Sequence, residues 1–79
     1  MRNPLLNRIT INPDICFGKP VIRNLRYPVH SLLQYLAAGD KIEDLLIVFP
    51  DLGKEDFQAC IAYAVMVIQE GRSDEINLR

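Results

Sequence analysis

The chain has 79 residues, a formal net charge of −1 and two cysteines, which leaves room for one domain whose core hides only about 60% of the unfolded surface. Its longest unbroken apolar run, Ala59 to Ile68, is well short of the ~20 residues that a membrane span requires, and Met1 to Arg8 lack the apolar run of a secretory signal. The expectation is therefore a soluble, reduced, cytoplasmic protein without membrane contact or disulfide framework, whose five cations against Asp14 in residues 1–36 (+4) would meet any polyanion, the remainder carrying −5.

Residues 1–7 read as an N-terminal extension, 8–71 as a single domain and 72–79 as a frayed tail. Arg8-Ile9-Thr10-Ile11 alternates with β-branched character and reads as a short strand, which Asn12-Pro13-Asp14 ends. Gly18-Lys19-Pro20 marks a second turn. Val21-Ile22 and Leu25-Arg26-Tyr27 flank Arg23-Asn24, a pair suited to a tight hairpin because Asn tolerates positive φ. This rigid, basic ribbon fills a core poorly and suits a surface that makes contacts.

Pro28 is placed as the first residue of helix 1, which buries Val29, Leu32, Leu33 and Leu36 and stops at Gly39. Asp40 with Glu43 forms a capping-box pattern for helix 2, where Ile42, Leu45, Leu46 and Phe49 face inward before Pro50-Asp51-Leu52-Gly53 breaks it. Helix 3 spans Lys54 to Glu70, with Glu55 and Asp56 suiting the positive end of its dipole. The fold class is mainly α: a three-helix helix-turn-helix bundle preceded by a short N-terminal β-ribbon.

Helix 3 is a poor reader of DNA. Its first turn, Lys54-Glu55-Asp56, would set two carboxylates in the phosphate field, and only Gln58 is suited to a base edge. One stripe (Phe57, Cys60, Ile61, Ala64, Val65, Ile68) is assigned to the core. A second (Ala59, Tyr63, Met66, Val67) leaves the opposite side apolar and is assigned to a homodimer interface, unless the N-terminal ribbon covers it within one chain.

No catalytic residue, cofactor or metal site is expected. His30 is the sole histidine and reads as a solvated residue; Cys16, Cys60 and His30 lack the paired spacing of a zinc site, and Gly18-Lys19-Pro20 lacks the rest of a phosphate loop.

Arg8-Ile9-Thr10-Ile11-Asn12-Pro13, Gly18-Lys19-Pro20-Val21-Ile22-Arg23, Arg26-Tyr27-Pro28-Val29 and Ala37-Ala38-Gly39 together resemble the domain-of-unknown-function 433 family. Ile42-Glu43-Asp44, Phe49-Pro50-Asp51-Leu52 and Ala62-Tyr63-Ala64 extend the likeness over about residues 8–68. The resemblance implies a homeodomain-like fold and the role of a prokaryotic type II antitoxin, one that neutralises a PIN-like ribonuclease toxin and represses its own operator as a DNA-binding dimer. Where the family usually reads Gly-Thr, this chain has Asn24-Leu25. Asn preserves the turn, while Leu loses a hydroxyl able to bond phosphate or backbone.

Two readings of the cations stay open. Arg8, Lys19, Arg23, Arg26 and Lys54 contact operator phosphates in the first and the carboxylates of an acidic partner in the second, where the chain is a protein-interaction module that never touches DNA. In a third, the chain is a structural dimer whose ribbon only covers apolar surface.

Overall fold

The computed structural model describes residues 3–70; the expected tail at 72–79 lies outside them. The chain opens with a 3-10 turn, Pro4–Arg8, then strand β1 (Ile9–Thr10), a left-handed turn at Cys16–Gly18, strand β2 (Val21–Ile22), and helices α1 (Val29–Ala37), α2 (Ile42–Val48) and α3 (Lys54–Glu70). It is mainly helical, with a small antiparallel ribbon at the front, as the periodicities indicated.

In the ribbon Ile9 pairs with Ile22 and Thr10 with Val21. At Arg23 (φ 46) and Asn24 (φ 58) the backbone turns left-handed, and the Leu25 amide donates to the Ile22 carbonyl at 2.7 Å, the signature of a tight I′-type turn. Past it the chain runs back along β2, bridging Val21 to Pro28. Asn24 thus keeps the expected turn, and its amide donates to Thr10 Oγ1 at 2.8 Å. Leu25, free of the hydroxyl, packs against the core instead.

Helix α1 ends as expected at Gly39 (φ 100), where the Asp40 amide donates to the Tyr35 carbonyl and the Gly39 amide to Leu36, a Schellman cap. Two starts differ from expectation. Pro28 is the N-cap of α1, not its first residue. The capping box of Asp40 and Glu43 does not form: Lys41 is the N-cap of α2 and no side chain caps it.

The core gathers Ile22, Val29, Leu32, Leu45, Leu52, Phe57, Ala59 and Cys60, with Leu5, Leu25, Tyr27 and Phe49 against its edge. Tyr27 meets Phe49 edge-on at 5.6 Å between centroids, a favoured aromatic geometry. Leu5 carries the N-terminal turn into this packing, so the described part of residues 1–7 lies on the domain. Seventeen residues make α3 about 25 Å long against about 13 Å for α1. The bundle therefore clasps the first half of α3 and meets the second half only along its flanks.

Candidate functional site

Asp56 organises the polar side of the molecule. It is fully buried, two residues into α3, and its Oδ2 accepts the Gly53 amide at 2.9 Å, the reach-back arm of a capping box. Arg23 grips the same carboxylate with two donors, Nε to Oδ1 at 3.1 Å and Nη2 to Oδ2 at 2.9 Å, and Arg8 adds Nη1 to Oδ1 at 3.0 Å. Arg23 Nη2 also donates to the Asp51 carbonyl at 2.9 Å. This bidentate clamp fastens the ribbon to the α2–α3 break. It also explains why an arginine is held at positive φ: the three hydrogen bonds of the Arg23 side chain outweigh a cost of about 1–3 kcal/mol.

One assignment is corrected by this geometry, and two residues gain an internal partner. Arg8 and Arg23, expected to contact DNA or an acidic partner, also pair with Asp56, through one and two donors, and stay 38% and 42% exposed. Asp56, read as an ordinary dipole-facing acid, is the buried centre of the triad. The other three cations, Lys19, Arg26 and Lys54, are exposed and remain available to an anionic partner.

Burial alone would raise the Asp56 pKa most, but hydrogen bonds from Arg23, the Gly53 amide and Arg8 together hold it below the usual carboxylate range. A carboxylate with a depressed folded pKa stabilises the fold above its unfolded value, and that stability is lost as pH falls through the folded one. The melting temperature is accordingly expected to drop on acidification below about pH 4, and to drop less in Asp56→Asn. Equal acid sensitivity in the two proteins would refute this role.

The apolar face of α3 is also reassigned. Ala59, placed in a dimer interface, is fully buried in the core, its small side chain suiting a tight contact. Ile61, Val65 and Ile68, placed in the core, are 44%, 49% and 55% exposed, because the N-terminal turn on one side and Pro20 with α1 on the other line only their flanks. At i, i+4 and i+7 they form an outward ridge. The remaining interface residues flank it. Met66 lines a cleft with Leu5, Leu6 and Ala62 on one side; Tyr63 and Val67 line another with Lys19, Pro20, Val29 and Leu33 on the other. The structure thus brings Lys19 together with Tyr63 and Val67, which are far from it in sequence, and keeps Met66 apart from them. The N-terminal turn and Pro20 of the ribbon lie along parts of this face, and the ridge stays about half exposed.

Sequence reasoning passed over Phe17, which is 96% exposed, and the pair Ile47 and Val48 at the end of α2, 80% and 65% exposed. An aromatic beside Gly18 inside a turn was the available signal for the first. Burial pushes the Cys60 thiol up to about 12, with Asp56 adding to the effect, so it is inert at neutral pH. His30 is exposed as expected. Among the described residues no three His, Cys, Asp or Glu side chains gather as a metal site, and no helix is long and apolar enough to cross a membrane.

A segment of 56 residues is 38% identical to the uncharacterized protein y4eO of Sinorhizobium fredii (strain NBRC 101917 / NGR234), covering 71% of this chain and 25% of that protein. The crystal structure of a DUF433 member from Anabaena variabilis ATCC 29413 superposes with a TM-score of 0.69 at 37% identity, covering 85% of this chain and 63% of the other. The chain therefore spans a quarter of the length of its curated relative and somewhat under two thirds of the solved one. A family model described as protein of unknown function (DUF433) matches residues 9–64, from the first ribbon strand through the buried half of α3, and the chain belongs to that family.

Proposed function

We propose that this chain works by binding protein: a cytoplasmic antitoxin without catalytic chemistry of its own, which associates with a second copy through α3 and neutralises a PIN-like ribonuclease partner. The observation that carries the protein-binding part is the outward ridge of α3, where Ile61, Val65, Val67 and Ile68 stand about half exposed beside a mainly apolar cleft and a second, mixed one. Contiguous apolar surface of this kind on a small domain marks a partner site. The ribonuclease partner rests on the family resemblance, with exposed Lys19 and Arg26 suited to the acidic surface of such an enzyme.

The test is co-expression with a PIN-like ribonuclease encoded beside this chain. Restored growth and co-purification of the pair are expected; toxicity that persists, with the two proteins eluting apart, would remove the antitoxin reading.

Operator binding is a second reading, favoured by the exposed Lys54 at the first position of α3. Arg8 and Arg23 pair with Asp56, and Lys19, Arg26 and Lys54 are the candidate cations without that pairing. Phosphate contacts by these three would contribute about −2.7 per copy to the log–log slope of binding against salt. A slope that Lys54→Ala leaves unchanged would take that residue out of the contact, and no binding at low salt would end this reading.

A further inference from the structure

We infer that Phe17 is the anchor of the self-contact, inserting into the apolar cleft that Leu33, Tyr63 and Val67 line on a second copy. The inference rests on the self-association proposed above, and adds to it a residue and a receptor.

Phe17 presents nearly its whole side chain to solvent, at 96% exposure. It is held there by backbone. Cys16, Phe17 and Gly18 lie at φ 50, 59 and 80, and a bulky side chain in the left-handed region is a genuine outlier. The turn is tied at both ends. The Asp14 amide donates to Asn12 Oδ1 at 2.8 Å and the Ile15 amide to the Asn12 carbonyl at 2.9 Å, while Gly18 and Lys19 donate to Ile15 and Cys16, each at 3.1 Å. An aromatic ring on a preordered turn loses little freedom on docking, the property that makes such rings effective interface anchors.

The receptor is a cleft of about 480 Å³ lined chiefly by Pro20, Val29, Leu33, Tyr63 and Val67, with Lys19 at its edge. Its size is that of a small-ligand pocket. Lys19 is two residues from Phe17, so their Cα atoms are at most ~7.6 Å apart. Knob and cleft therefore share one patch, as a two-fold contact requires, since each copy must offer both halves to its mate. Phe17 is not among the residues that line its own cleft, so the cleft stays open to the ring of a partner.

The area suffices. A fully exposed aromatic contributes on the order of 200 Å². With the half-exposed Ile61, Val65, Val67 and Ile68 and the cleft walls, each copy offers on the order of 600–800 Å², near the ~800 Å² per partner of a standard stable interface.

The experiment is sedimentation of the purified chain, Phe17→Ser, Val67→Arg and an equimolar mixture of the two variants. Each variant alone is expected to associate at least tenfold more weakly than wild type, with the melting temperature of the dilute monomer unchanged. The mixture should recover part of the affinity, because Val67→Arg still supplies a Phe17 and Phe17→Ser an open cleft. Wild-type dimers that Phe17→Ser leaves unchanged would overturn the anchor while leaving self-association standing. A mixture no tighter than its components, or weakening matched by a lower melting temperature of the dilute monomer, would also overturn it. A wild-type chain that stays monomeric, including one whose cleft takes another protein, would overturn anchor and self-association together.

Discussion

Asp56→Ala is expected to lower stability by about 3 kcal/mol, the largest single loss available on the polar side of the fold. The substitution frees the Gly53 amide, removes the common acceptor of Arg8 and Arg23, and leaves a small void beside the core. The two guanidinium groups are partly exposed and can turn to water, which keeps the loss below that of stranding two buried charges. A chain of this length has only some 4–12 kcal/mol of stability in all, so the variant should populate unfolded forms at physiological temperature. Denaturant titration checks this, and a loss under about 1 kcal/mol would show that the triad is ornament. Arg23→Ala should cost part of the same energy. The double variant should cost far less than the sum, because both substitutions break the same bonds.

Ile61→Glu with Val65→Glu should weaken self-association at least 1000-fold while leaving the isolated fold intact. Two carboxylates per copy on the ridge would be desolvated on docking and would face their own kind across a two-fold axis. Each tenfold step is about 1.4 kcal/mol, so the expected loss is about 4 kcal/mol for four buried charges, a conservative value. Glu is a better helix former than Ile or Val, and neither position belongs to the core, so the melting temperature of the dilute monomer should hold or rise. Sedimentation equilibrium separates the two effects. Association unchanged by both charges would place the contact elsewhere, with exposed Ile47 and Val48 the next surface to test.

Much of the fold was legible along the chain because its signals are local. Gly39 needs no partner to be read as a helix stop, and Asn24 is read as a left-handed turn residue from its own chemistry. The periodicity of Val29, Leu32, Leu33 and Leu36 gave α1 its inward face. The site was less legible because its determinants are relational. Nothing beside Asp56 in sequence distinguishes it from Glu55, yet one carboxylate is buried and the other exposed; the difference is made by arginines 33 and 48 positions away. The rotation of α3 failed for a similar reason. With apolar residues on all sides, the buried face is chosen by what lies beside each turn of helix. Ala59 and Cys60 lie on the side turned to the bundle, while Ile61, Val65 and Ile68 share the opposite ridge.

The shared carboxylate has a kinetic consequence. The acceptor that closes the first turn of α3 on Gly53 is the one that receives Arg8 and Arg23, so starting the long helix and docking the N-terminal third draw on one group. A helix nucleus is costly to form unaided, and here its relief comes from segments far away in the chain. The fold therefore has little access to a half-built state in which α3 stands formed with its apolar ridge bare and the ribbon still loose. Amides of β2 and of the first turn of α3 should open to hydrogen exchange together, as one cooperative unit.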